Sequence, residues 1–199
     1  MAQKNTKAKK GDHRLRIIGG EWRGRRIQFA VVEGLRPTGE RIRETLFNWL
    51  TPATPGAHCL DLFAGSGALS FEALSRGAES ATLIDRSSRV TDELSAQLTL
   101  LKCDRANIIN QDGLRWLTRQ TPDSPQFDIV FLDPPFRKNL LQQAITALEE
   151  NQWLKPGAMI YIESEVDMDT NLESLIPSNW VLHRQKTGGQ VSYSLFKRE

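Results

Sequence analysis

From position 58 onward, short apolar runs alternate with stretches of helical spacing. Residues 59–64, 81–84, 108–109 and 129–132 are brief and rich in β-branched or aromatic side chains, the pattern of strands buried on both faces. Between them, residues 69–76 read as a helix capped by Gly77. Val90, Leu94, Leu98 and Leu101 fall on one helical face, and Leu141, Ala144, Ile145 and Leu148 repeat the spacing after an Asn139 N-cap. Residues 159–162 supply a further strand after Pro156-Gly157. Alternation of this kind predicts an α/β fold, a mostly parallel sheet covered on both faces with right-handed crossovers. Residues 180–187 and 190–197 flank Gly188-Gly189, and Val191, Tyr193 and Leu195 alternate with Ser192 and Ser194, so an antiparallel hairpin closes the sheet. Ahead of this region, Ile42, Leu46, Trp49 and Leu50 line one face of a helix over 40–50 that Pro52 stops. Earlier still, residues 15–18 and 22–29 read as a short hairpin around Gly19-Gly20. Arg23, Arg25 and Arg26 are expected on its second strand, with a bulge at Gly24.

Composition narrows the class. At 199 residues, 39% apolar and 25% charged, the chain has the profile of one folded domain. Three parts are expected: a disordered basic tail at 1–13, a basic hairpin appendage at 14–30 and a main domain at 31–199. No apolar run approaches the roughly 20 residues of a membrane helix, and no apolar segment follows the early lysines. The expectation is a cytoplasmic protein. Cys59 and Cys103 form no C-x-x-C pair and share no zinc-like spacing with the three histidines, which predicts reduced thiols and no metal. Charge is distributed unevenly: residues 1–26 carry nine Lys/Arg against two acids, net +7, and the rest carries −5. A polyanionic partner explains this asymmetry, although a solubilising tail would account for the first lysines.

Three acidic residues close three predicted strands around a glycine turn. Asp61-Leu62-Phe63-Ala64-Gly65-Ser66-Gly67 stands where the first strand becomes a helix, where glycines allow close backbone approach and a helix N-terminus favours negative charge. A purely structural tight turn would look the same. Position 70 is Ser70, not the glycine a dinucleotide fingerprint needs, so a pyrophosphate cofactor is poorly supported. Asp85, 18 residues beyond Gly67, ends the second strand and can accept both ribose hydroxyls; Asp112 ends the third and can receive an adenine amino group. Each could instead cap a helix, but their convergence favours an adenosine pocket. The fourth strand ends in Asp133-Pro134-Pro135-Phe136. The two prolines fix the backbone, so the Asp133 carboxylate and Pro134 carbonyl form a rigid acceptor pair, with Phe136 as a stacking surface. Such a pair suits a planar amine, favouring a more tetrahedral nitrogen and steadying its developing positive charge. A proline loop that merely ends a strand is the plainer reading.

Taken together, D-x-F-A-G-S-G, the acids at the strand ends and D-P-P-F resemble an S-adenosylmethionine-dependent amino methyltransferase of the Rossmann-like class I fold, with a seven-stranded sheet. The similarity is greatest to the bacterial small-subunit ribosomal RNA methyltransferase D family. Its matching stretches are R-I-I-G-G-E-W-R-G-R at 16–25, R-P-T at 36–38, R-I-R-E-T-L-F-N-W-L at 41–50, L-D-L-F-A-G-S-G-A-L at 60–69, F-L-D-P-P-F at 131–136, Y-I-E-S-E at 161–165 and G-Q-V at 189–191. The resemblance implies transfer of a methyl group from S-adenosyl-L-methionine to guanine N2 of 16S RNA, of the guanine-966 type. The substrate would be the small ribosomal subunit or an assembly intermediate, and the enzyme a monomer. Asp61, Phe63, Ala64, Gly65, Ser66, Gly67, Asp85, Asp112 and Gly113 would hold the cofactor, with Thr38 and Arg41 closing its pocket. Asp133, Pro134, Pro135 and Phe136 would receive the guanine. Arg14, Arg16, Arg23, Arg25, Arg26 and Arg36 would grip RNA together with Arg137 and Lys138, which could also form a solvated charged turn.

Other readings stay in view. DNA adenine N6 methylation also uses D-P-P with an aromatic residue, but such enzymes generally need a recognition domain for which 199 residues leave no room. Protein glutamine methylation usually uses a tetrapeptide from Asn to Tyr, where this chain has Asp133 and Phe136. A non-catalytic RNA-binding protein on the same fold would be expected to lose the glycine turn or the D-P-P-F, and both are present.

Overall fold

Alternation along a strand sends neighbouring residues to opposite faces of a sheet, and the core divides accordingly. In the computed structural model, which describes residues 13–32, 37–119, 122–124, 126–135, 140–165 and 172–199, Cys59, Ile129, Phe131 and Tyr161 belong to one apolar cluster. Leu60, Val130, Leu132, Ile160 and Ile162 belong to the other. Residues 1–12, Arg36, Phe136, Arg137, Lys138 and the expected cap Asn139 lie outside the described residues.

The chain begins with an antiparallel pair, β1 (Arg14–Arg16) and β2 (Arg26–Gln28), followed by α1 (Glu40–Trp49). Strands and helices then alternate: β3 (His58–Asp61), α2 (Ala68–Ser75), β4 (Ser80–Asp85), α3 (Ser88–Leu101), β5 (Ala106–Asn110), α4 (Gly113–Arg119), β6 (Phe127–Leu132), α5 (Leu140–Glu150) and β7 (Leu154–Glu165). A short α6 (Leu172–Leu175) leads to the hairpin of β8 (Trp180–Gly188) and β9 (Val191–Arg198). The seven-stranded sheet has the order β5-β4-β3-β6-β7-β9-β8. Its first five strands are parallel, and β9 runs antiparallel to both neighbours. This is a Rossmann-like doubly wound fold with a terminal antiparallel hairpin, as the sequence predicts. Helices α1, α2 and α3 contribute to the first cluster, and α4 and α5 to the second. Because β4 lies on one side of β3 and β6 on the other, the winding reverses there and opens a crevice at the strands' carboxyl ends, the usual ligand position in open α/β sheets.

The structure departs from the sequence reading at several points. The run at 59–64 is a strand only to Asp61; from Leu62 the chain turns, and Ala64 N–H donates to the Ile84 carbonyl at 2.9 Å. β7 begins at Leu154, so Pro156-Gly157 lies within it. The register jumps there from Phe127↔Leu154 to Ile129↔Met159, a bulge that lets a strand pass a residue lacking N–H. Helix α4, too short for a visible period, was not foreseen. Finally, the second hairpin strand shrinks to Arg26–Gln28, leaving Arg23 and Arg25 in the connection. Tertiary contacts win here: Trp22 is buried and its N–H donates to Ser75 Oγ at 2.9 Å, while that hydroxyl donates to the Gly19 carbonyl at 2.6 Å. His13, placed in the tail by the expected boundary, packs edge-on against Phe29, and its carbonyl accepts the Phe29 N–H at 3.0 Å.

Leu15 and Ile27 pair across the hairpin and are buried, so Arg14, Arg16 and Arg26 all face outward. The inward face joins the same cluster as α1 and α2.

Candidate active site

The turn after β3 is built by close approach. Gly67, the N-cap of α2, has φ of 71°, and a Cβ there would sit 2.5 Å from Leu94 and 2.6 Å from Phe71. Gly113, at the start of α4, passes so near Leu62 that a Cβ would lie 2.6 Å from its carbonyl oxygen. Both positions therefore require glycine. Asp85, half-buried at the end of β4, stitches the turn to the strand: Gly65 N–H donates to its Oδ2 at 3.0 Å and Ser87 N–H to its Oδ1 at 2.8 Å. A carboxylate has about four lone-pair sites, so it keeps capacity for ribose hydroxyls. Ser66 Oγ accepts the Ala68 N–H at 3.3 Å at the head of α2, and Phe63 is half-buried beside it.

Asp112 is exposed and does cap a helix, its Oδ1 accepting the Arg115 N–H at 3.0 Å. Capping and ligand contact are compatible for the same reason of lone pairs. Asp61, the first residue of the expected cofactor-holding set, closes β3. It is buried, and its Oδ2 accepts the Ser70 hydroxyl at 2.8 Å. Burial pushes its carboxyl up to about 7, with the Ser70 hydroxyl pulling the other way and Asp85 adding to the rise. Ser70 thus occupies the place of a fingerprint glycine because it partners this carboxyl.

Asp133 follows β6 directly and is half-buried, with Pro134 buried and Pro135 exposed behind it. Thr38, on the segment before α1, donates its hydroxyl to Asp133 Oδ2 at 3.4 Å. Asp133 is held well above the usual carboxylate range, first by desolvation, then by the charges of Glu163 and Asp61; the Thr38 hydroxyl opposes this. Glu163, near the end of β7, is itself buried and raised, its Oε2 accepting the Tyr161 hydroxyl at 2.8 Å. Asp61, Asp133 and Glu163 thus lie at the carboxyl ends of three adjacent strands. Among the described residues no lysine or arginine bridges any of them.

Thr38 joins this group, but Arg41 is exposed on the first turn of α1. The basic residues Arg14, Arg16, Arg23, Arg25 and Arg26 are all exposed on the hairpin, where Arg16 bridges Glu40 at 2.8 Å. Two features were not singled out from sequence. Glu163 is one: its signal was an acid where a buried strand calls for an apolar residue. The other is a buried pair, Arg43 with Glu72 at 2.7 Å, each almost fully enclosed. Arg43 Nε also donates to the Thr38 carbonyl at 3.0 Å and its terminal nitrogens to the Arg16 carbonyl at 3.0 and 3.1 Å, while Glu72 accepts the Ile18 and Gly19 N–H groups. Among the described residues no cluster of three His, Cys, Asp or Glu could hold a metal, and no helix is long and apolar enough to cross a membrane.

Comparison with known proteins fits this geometry. The family profile described as conserved hypothetical protein 95 matches residues 15–197. The ribosomal RNA small subunit methyltransferase D of Escherichia coli K12 is 50% identical over 190 residues, covering 95% of this chain and 92% of that protein. Its namesake from Haemophilus influenzae is 49% identical over 199 residues, 99% of this chain and all of that protein. The solved structure of the E. coli protein yhhF superposes with a TM-score of 0.84 at 47% identity, covering 94% of this chain and 98% of that one. The glycine turn, the Gly113 approach and Asp85 suit an adenosyl ligand. A family profile matched over residues 15–197 and relatives about half identical along almost the whole length identify the chain as a member of the ribosomal RNA small subunit methyltransferase D family.

Proposed function

We propose that the protein transfers a methyl group from S-adenosylmethionine to the exocyclic N2 amine of a guanine in 16S ribosomal RNA, presented on the small subunit or an assembly intermediate in the cytoplasm. The observation that carries this reading is the placement of Asp133: a carboxyl at the winding reversal, next to the glycine turn, with Thr38 its hydrogen-bond donor and no cation bridging it among the described residues. A buried acceptor in that state is stabilised by incoming N–H groups.

When bound, S-adenosylmethionine supplies an electrophilic methyl whose sulfur keeps the bonding electron pair. Gly65, Gly67 and Ser66 would hold its methionine end, Asp85 its ribose and Asp112 its adenine. Asp133 and the Pro134 carbonyl would accept the two amino N–H groups and favour a more tetrahedral nitrogen, and Phe136 would stack on the base. Asp133, whose affinity for protons is raised by burial, is suited to take the proton the nitrogen sheds. Orientation does most of the work, since a well-aligned pair of reactants can save on the order of 7–11 kcal/mol. The amino group lies on a base edge, so the nucleotide must be unstacked before Phe136 can cover it.

The direct test incubates the protein with labelled S-adenosylmethionine and small subunits, 16S RNA or DNA, then digests the product to nucleosides. Label in N2-methylguanosine is the expected result; label in N6-methyladenine or in protein overturns the reading. RNA capture is assigned to the hairpin. Replacing Arg23, Arg25 and Arg26 by alanine should weaken RNA binding and flatten the slope of log affinity against log salt by up to about 2 if all three meet phosphate. Arg16 is left in place because Glu40 already engages it. An unchanged slope in filter-binding titrations removes the hairpin from the interface.

A further inference from the structure

Asp133 and Glu163 come together through register. Leu132 of β6 pairs with Ile162 of β7, so Asp133, just past β6, and Glu163, still within β7, stand at one level and on one face, that of Phe131 and Tyr161. Neighbouring strands lie about 4.8 Å apart. Glu163 is 7% exposed, and the 2.8 Å bond from the Tyr161 hydroxyl fixes one of its oxygens. The groups around Asp133 are Glu163 and Tyr161 from β7, Asp61 from β3, Tyr193 from β9 beyond Tyr161, and Thr38 ahead of α1. Among the described residues this set holds three carboxyls and no cation. Two acceptors, Asp133 and the Pro134 carbonyl, already satisfy the two N–H groups of an exocyclic amine. Glu163, one oxygen of which already takes the Tyr161 hydroxyl, is one acceptor more than an amino group needs, and its carboxylate keeps lone pairs for a further donor.

We propose that Glu163 is a specificity-determining residue that accepts the ring N–H beside the target amino group. The base edges differ at that position. Guanine carries N1–H next to its N2 amine, so a carboxylate there gains a charge-assisted hydrogen bond. Adenine carries a bare N1 lone pair next to N6, which a carboxylate repels and leaves unpaired. Glu163 would therefore select guanine over adenine at a site where Asp133 and Pro134 alone accept either amine. The inference rests on the reading of Asp133 as the amino acceptor.

The test compares E163Q and Y161F with the wild-type enzyme on unmethylated small subunits. It uses a second substrate in which the mapped target guanine is replaced by 2-aminopurine, which keeps the amine and loses N1–H. E163Q is expected to lower kcat on the guanine substrate at least tenfold, to leave the KM for S-adenosylmethionine within about twofold, and to narrow the guanine-to-2-aminopurine rate ratio. It should also shift the acidic limb of the rate profile to lower pH, since removing a like charge lets Asp133 ionise more easily. Y161F, which removes the hydroxyl that fixes Glu163 but leaves its carboxylate, should lower kcat and narrow the ratio less than E163Q does. Wild-type kcat in E163Q, an unchanged ratio, or a Y161F loss as deep as that of E163Q overturns the proposal. Failure of the wild-type enzyme to yield N2-methylguanosine would instead overturn the underlying reading, so the two failures are distinct.

Discussion

Alanine in place of Asp133 should lower kcat for methyl transfer by about two to three orders of magnitude while changing the KM for S-adenosylmethionine by less than about twofold. The size follows from losing one preorganised acceptor at a centre that becomes positive, an interaction realised in the transition state and comparable to the loss of an oxyanion-hole donor. The cofactor constant should hold because the glycine turn is tied to Asp85, not to Asp133. Asparagine separates charge from shape. D133N keeps one acceptor oxygen and should retain more activity than D133A, but its rate profile should lose the part of the acidic limb that Asp133 supplies. The sign is as follows: the folded Asp133 is raised well above the ordinary carboxylate range, so in the wild type the rate falls as pH drops through that raised value. With Asp133 no longer titrating, D133N loses that part of the fall, and any fall that remains belongs to Asp61 and Glu163, which are also raised. Single-turnover rates from pH 5 to 8 measure both effects, and a D133A enzyme methylating at the wild-type rate would end the case for this residue.

The order of strands and helices was legible because a sheet buried on both faces writes itself as short apolar runs, and the same logic located Asp85, Asp112 and Asp133 at strand ends. What escaped depended on contacts between distant segments. Nothing within residues 22–29 signals that Trp22 anchors to Ser75 and shortens β2. The inward burial of Asp61 needed its Ser70 partner on α2 to be visible. Glu163 lies just past the apolar run at 159–162 and gains meaning only when register sets it beside Asp133, and Arg43 finds its partner Glu72 on α2, far along the chain. These last two share a cause: a charged residue at a core position makes sense only with the partner that justifies it.

Arg43→Met should be the most destabilising single change in the chain's N-terminal half, costing about 3–5 kcal/mol because it leaves the Glu72 carboxylate buried with its main cation removed. For a domain of this size that is a fall in Tm of roughly 6–20 °C. Arg76 also reaches Glu72, at 3.2 Å, but it is partly exposed and cannot replace the enclosed contact. Pairing Arg43→Met with Glu72→Gln removes the orphaned charge. The double variant should therefore be no less stable than the single one, a non-additivity that a double-mutant cycle reads directly. Recovery will be partial, since the Arg16 and Thr38 carbonyls still lose their donors. The pair also joins two functional parts: Arg43 holds the backbone on either side, Arg16 in the hairpin and Thr38 beside Asp133. The double variant should accordingly lose RNA affinity and kcat beyond what its Tm explains, measured well below its unfolding transition. If it regains stability and works like the wild type, the pair serves the fold alone; if single and double variants are destabilised additively, the two charges are not coupled.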